Sequence, residues 1–145
     1  VKIDAKIQNL QSLNLGVIIN DSARDKEKEI LQLNQDQMYE KGVMDVNRPA
    51  NKLHYAASTA RQKRRKATYK RTDHITLRWF GDFYQAMKLV FFKDRFEIAS
   101  NDLKWANWLE PQERFKSALG LTPESLQRVR AILRPGIIRK IKERI

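Results

Sequence analysis

The chain has 145 residues and no cysteine, so neither a disulfide framework nor a thiolate metal site is open to it. Its five glycines are scattered singly and leave no glycine-rich loop to cradle a phosphate. The only histidines, His54 and His74, stand outside any metal-ligand spacing and are expected to be structural or solvated. No nucleophile elbow or histidine triad context is present, so the sequence offers no catalytic residue, no metal ligand set and no cofactor motif. Long apolar runs are missing too. Gly16–Ile19 and Leu89–Phe92, the longest, are far too short to span a bilayer. The opening residues mix Lys2, Asp4 and Lys6 with isolated apolar positions, which is no signal-peptide pattern. The expectation is a soluble protein, made in a reducing cytoplasm, with no membrane partner.

One further absence is local. Between Arg48 and Thr72 there is no acidic residue, while nine positions are basic. Lys and Arg number 29 against 17 Asp and Glu, for a net charge of +12, so this stretch carries three quarters of the excess. Such a balance attracts polyanions or acidic protein surfaces and says nothing of fold. The densest part is "RQKRRKATYKR", with Arg61, Lys63, Arg64, Arg65, Lys66, Lys70 and Arg71. Like charges repel, so this run is expected to be a flexible loop that reaches phosphates or an acidic partner by charge alone. The bland alternative is a solvated loop with no specific partner.

With 41% apolar residues the chain can fold as one domain. Ile3, Ile7 and Leu10 predict an amphipathic helix over 3–13. Asn20-Asp21-Ser22 predicts the N-cap of a second helix over 22–41, with Ile30, Leu31 or Leu33 and Met38 inward and Gly42 as its stop. Residues 43–72 lack apolar periodicity and read as a long basic loop, with one helical turn near 57–66. "HITLRWF" alternates and predicts a strand with Ile75, Leu77 and Trp79 on its apolar face. Gly81 breaks it, and Asp82 is placed as the cap of a short helix over 82–88. "LVFF", "KDR" and "FEIAS" predict a hairpin with Phe96 and Ile98 inward. Asn101-Asp102 caps a short helix bearing Trp105, Trp108 and Leu109. Thr122 and Pro123 start the last helix, which Pro135-Gly136 should kink or break. The class is α+β: a small antiparallel sheet flanked by helices, with a long basic loop and a C-terminal amphipathic helix. Residues 1–121 form the domain. The helix over 122–145 reads as an extension that docks Leu126, Val129, Leu133, Ile137, Ile138 and Ile141 on another protein. Its rival is a tail that covers its own sheet.

Two functional patterns are weaker. Asp94, Asp102 and Lys104 loosely suggest a metal-dependent nuclease, but a hairpin turn and a helix cap explain the two acids better. The aromatic cluster Trp79, Phe80, Phe83, Tyr84, Phe91, Phe92 and Phe96 follows strand and helix periods, which favours core packing over base stacking.

"EILQLNQDQMYEKGV", "KLHYAASTARQK", "ITLRWFGDFYQAM", "FEIASNDLKWANWL" and "ALGLTPESL" follow one another in order within residues 27–126. This series resembles small virion proteins of tailed bacteriophages, of the type found in Bacteroidetes phages, that sit at the head-to-tail junction or complete the tail. The resemblance implies a non-enzymatic virion subunit in the neck or tail, forming a homo-oligomeric ring through which DNA passes. Its partners would be adjacent portal, neck or tail proteins, with non-specific contact to channel DNA through the basic loop. It departs from the family where a second glycine is usual after the "KG" helix end. Asn47-Arg48 stands there, and Asn is expected to keep the turn by a left-handed conformation. The alternative from another class is a non-specific nucleic-acid-binding module using residues 61–71.

Overall fold

The computed structural model describes residues 2–145, with side chains from residue 5 onward. Its helices are α1 (Lys2–Ser12), α2 (Leu15–Asp25), α3 (Glu27–Tyr39), α4 (Ala57–Lys66), α5 (Asp82–Gln85) and α6 (Pro123–Arg144). The strands β1 (Met87–Phe91) and β2 (Phe96–Ser100) make one antiparallel hairpin, with Leu89 opposite Ile98. The fold is α+β, and the sheet has only these two strands.

Two apolar clusters meet across the hairpin. One joins Met38, Met44, Ile75, Phe83, Trp105 and Phe115. The other joins Ala23, Ile30, Leu89, Val129 and Leu133, so α2, α3, β1 and α6 share it. The inward side of β2 is as predicted, with Phe96 and Ile98 packed on the second cluster. Thr122 accepts the Ser125 N–H and Pro123 takes the first turn, so α6 starts where its sequence signals place it.

The predicted second helix is two helices. Its supposed cap, Asn20-Asp21-Ser22, lies inside α2, whose N-cap is Asn14, accepting the Val17 N–H. Lys26 then breaks the chain before α3. Asn20 and Ser22 are polar yet buried because the Asn20 amide donates to the Phe92 carbonyl at 2.6 Å and the Ser22 hydroxyl to that of Ile18.

Residues 74–80 form no strand. Thr76 is fully buried, its hydroxyl accepts the Arg78 N–H at 3.2 Å, and Leu77 takes a left-handed φ of 57°. That turn ends the alternation: Ile75 is buried, but Leu77 and Trp79 are only half-buried. Phe91 is half-buried as well, whereas Phe83 is buried. Gly81, with φ of 95°, is itself the N-cap of α5, and Asp82 sits in the first turn instead. Asp102 does cap the next turn, accepting the Trp105 N–H at 3.0 Å. Trp105 is buried while Trp108 is exposed.

Asn47 takes no left-handed conformation. Its N–H is held by the Asp45 carboxylate at 2.9 Å, a side-chain turn that needs no glycine. Pro135 lies inside α6, which runs unbroken from Pro123 to Arg144. Asp21 and Asp25 of α2 pair with Arg144 and with Lys140 and Arg139, fastening this half of α6 to the body.

Phe83 packs its ring 4.6 Å from that of Trp105. Phe83→Ala is expected to cost about 3–5 kcal/mol, read as a lower urea midpoint. Gly42, with φ of 68°, would bring an added Cβ to 2.7 Å from the His74 ring, so Gly42→Ala should also destabilise, by more than about 1 kcal/mol.

Candidate functional site

The basic segment folds. Ala, Arg, Gln and Lys are good helix formers, and four cations in the last turn of α4 oppose the partial charge of its free carbonyls. Ala60, Lys63 and Ala67 recur at helical spacing and are buried, so they define the inner face. Arg61, Gln62, Arg64, Arg65 and Lys66 point outward and are exposed.

Lys63 is the unexpected member. Its exposure is 0%, and its ammonium donates to the Arg71 carbonyl and to the Thr76 hydroxyl, the latter at 3.1 Å. The Tyr55 ring lies 5.3 Å from the charge. Burial lowers its pKa to about 8, against the pull of Asp73 in the other direction. Lys63 is therefore corrected from a contact residue to an internal anchor.

The rest of the run is also tied down. Lys70 donates to the Arg64 carbonyl at 2.7 Å, and the Arg64 guanidinium to the Thr72 hydroxyl at 3.0 Å. Arg71 pairs with Asp73 at 2.8 Å and Glu40 at 3.0 Å. The Arg71 guanidinium holds the Asp73 carboxyl down at about 2, and Asp73 raises the pKa of Arg71. These bonds fold residues 67–73 back along α4, so a free flexible loop is replaced by an ordered basic ridge. Arg71 is charge-compensated. Among the described residues, Arg61, Arg65 and Lys66 have no acidic partner, and Arg64 and Lys70 have only neutral ones. Five of the seven expected contacts thus remain available: Arg61, Arg64, Arg65, Lys66 and Lys70.

The expected docking face of α6 divides. Val129 and Leu133 are buried within the chain, against Ala23, Ile30 and Leu89, and Ile137 packs beside them. They are spent intramolecularly because α6 lies along α2 and α3. Ile141 is half-buried, and Leu126 and Ile138 are exposed.

A cleft of about 480 Å³, which the sequence did not signal, opens beside the first turn of α4. Its walls include Tyr55, Leu77, Trp79, Phe80, Phe83 and Phe115. Asp82, Asp102, Lys104 and Arg114 also line it. The corner "LRWFGDF" forms one side of it, where Gly81 turns the chain and Phe80 is exposed. Next to it, the Arg78 guanidinium lies 3.9 Å from the Tyr69 ring centroid and 4.8 Å from that of Tyr84. His74 is structural, its ring bonded to the Tyr39 carbonyl at 2.8 Å. His54 is bonded to the Asp73 carbonyl.

The loose nuclease pattern separates. Asp94 is at the hairpin tip and Asp102 beyond its open end, so at least one strand length, about 13 Å, divides them. Among the described residues no three His, Asp or Glu side chains gather as a metal site requires. No described helix is long and apolar enough to cross a membrane. Comparisons with protein-family models, curated proteins and solved structures find no match.

Lys63→Ala is expected to destabilise by about 2 kcal/mol or more, because the Arg71 carbonyl and Thr76 lose their buried partner. Arg65→Gln should change stability by less than about 0.5 kcal/mol. The lowered pKa of Lys63 also has a pH signature. Below about pH 8 the folded and unfolded chains both carry the proton, and the full cost of burying the charge applies. Between about 8 and the ordinary 10.5 the unfolded chain holds more protons, so stability rises with pH. Urea midpoints should therefore climb over that window in the parent relative to Lys63→Met.

Proposed function

We propose that this chain is a non-catalytic structural subunit of a tailed bacteriophage virion, forming a ring at the head-to-tail junction or tail through which DNA passes. The observation that carries the reading is the rigid basic ridge of α4, which offers Arg61, Arg64, Arg65, Lys66 and Lys70 to solvent on an ordered body. Phosphate contact needs charge at a fixed place and no base readout. A ridge held by buried Lys63 supplies that without ordering a loop on contact. The ordered motif series supports the same reading. "LNQDQMY-KG" builds the end of α3 and the Gly42 turn against His74, and "GDFY" builds the corner under the cleft.

In this reading the neighbours are further copies and adjacent portal, neck or tail proteins. The chain is made in the bacterial cytoplasm and resides in the virion. A second reading, a non-specific nucleic-acid-binding module outside any particle, uses the same unpaired cations.

A mass-spectrometric inventory of purified virions separates the two. The chain should be present at a fixed multiple per particle; absence from virions overturns the structural reading. Replacing Arg61, Arg64, Arg65 and Lys66 with Gln should leave the chain folded, with only a small fall in the urea midpoint for the lost Arg64–Thr72 bond, and weaken genome retention or assembly. Binding of duplex DNA by the isolated subunit should show no sequence preference and fall steeply with salt. Quadruple-variant particles that hold their genome and infect like the parent would leave the ridge a solvated surface.

A further inference from the structure

We infer that copies of this chain join head to tail, with the apolar edge of α1 from one copy seated in the aromatic cleft of the next. Two uncovered apolar surfaces lie at different ends of the hairpin. Gly16, at the start of α2, lies against the Lys93 carbonyl, and Asn20 bonds the Phe92 carbonyl. The α1–α2 corner is therefore at the hairpin tip. Phe83 and Asp102 line the cleft beside the open end, where the Ser100 hydroxyl donates to the Phe83 carbonyl. A copy cannot readily bring its own α1 corner to its own cleft, because the hairpin's length separates them.

The two surfaces suit one another. Ile7, Leu10, Leu15 and Ile19 are exposed on α1 and α2, at 46%, 47%, 55% and 39%. Together these four leave on the order of 400 Å² of apolar surface in water, in the range that marks an interaction site on a monomer. Ile7 and Leu10 keep the i, i+3 spacing by which a helix anchors in a groove. The cleft offers about 480 Å³ walled by Tyr55, Leu77, Trp79 and Phe80, with Leu103 and Trp108 exposed nearby in sequence to its lining residues. About 400 Å² of apolar area is roughly half of the ~800 Å² per partner that a stable interface buries, which is the usual apolar share.

Charge leaves these two surfaces open to a second copy. A chain of net charge +12 repels itself, so its copies can meet only where charge is balanced. The cleft lining sets Asp82 and Asp102 against Lys104 and Arg114, and α1 carries only Lys2, Lys6 and Asp4. The basic ridge of α4 stays outside the contact. Because the two surfaces differ, the contact is heterologous and repeats from copy to copy. Closure into a ring rests on the reading proposed above; the pairwise contact does not.

Light scattering and sedimentation test it. The parent should associate with concentration, and more strongly as salt rises, since salt screens the repulsion between copies while leaving apolar burial in place. DNA binding should move the other way. Ile7→Lys with Leu10→Lys should give a monomer, as should Phe80→Glu. Thr59→Trp, which crowds the cleft without removing packing, serves if Phe80→Glu misfolds. Mixing the α1 variant with the cleft variant leaves one intact edge and one intact cleft, so the mixture should stop at a 1:1 dimer. A parent that is monomeric at all concentrations and salts overturns the inference. So does a cleft variant that still associates alone, or a mixture that stays monomeric. Absence of the chain from virions would remove the phage reading and leave the mixing result standing.

Discussion

Burial of the Lys63 ammonium fixes more of this molecule than any other single contact. A cation taken out of water must meet oxygen, and the two it meets, on Arg71 and Thr76, belong to the chain that leaves α4 and turns back. Residues 67–76 are thereby held against the helix. Thr76 then becomes a junction: its N–H donates to the Tyr55 hydroxyl, its carbonyl accepts from Tyr84, and its own hydroxyl accepts from Arg78. Burial of that tyrosine pushes its pKa up and keeps it a donor at any ordinary pH. The left-handed Leu77 follows from these demands, a strain of order 1–3 kcal/mol that surrounding bonds hold in place. One wall of the cleft and the outward direction of the basic ridge are set by the same few bonds.

The second half of the body is organised by side-chain amides on α3. Asn34 donates to the Ala118 carbonyl and accepts from the Gly120 N–H; Gln37 does the same for Gly120 and Thr122. These bonds satisfy the irregular backbone just before α6, where no ladder is available. They also set where α6 starts, so that it packs chiefly on α2 and Val129 and Leu133 reach Ala23, Ile30 and Leu89. A helix delivered in that way covers its own core. Leu126 and Ile138 stay exposed on its outer side, and the other exposed apolar surface is at the α1–α2 corner and around Phe80.

Signals written in neighbouring residues were legible in the sequence. The hairpin, the caps Asp102 and Thr122 and the α+β class depend on spacing and turn chemistry within a few positions; near 57–66 only one turn of the helix is legible. What was not legible depends on partners far along the chain. No local pattern says that Lys63, one of seven basic residues in a row of eleven, is the buried one; the Ala60, Lys63, Ala67 spacing is visible only once the stretch is known to be a helix. "HITLRWF" alternates as a strand should, yet among the described residues the one ladder is β1–β2 and this segment does not join it. Instead the Thr76 hydroxyl captures the Arg78 N–H. The division of α2 from α3 at Lys26 has no breaker residue, and it arises because α2 turns toward α6 and the hairpin tip. The cleft is a product of packing among Tyr55, Phe83 and Phe115, which lie far apart in sequence.

Charge and apolarity are thus segregated in space as they are in sequence. Arg61, Arg65 and Lys66, with no acidic partner among the described residues, stand on a helix whose inner face is anchored, while four of the cations on α6 are answered by Asp21, Asp25 and Glu124. Surfaces that bind by charge weaken as salt rises, and surfaces that bind by burial between like-charged copies strengthen. In the readings proposed above, having both on one small body separates two kinds of partner without a switch: polyanions meet the α4 ridge, and further copies meet the corner and the cleft. Lys63 keeps the two apart. It removes one charge from the ridge and spends it inside, on the turn that forms the cleft wall, so neither surface could be lost by loosening that turn without disturbing the other.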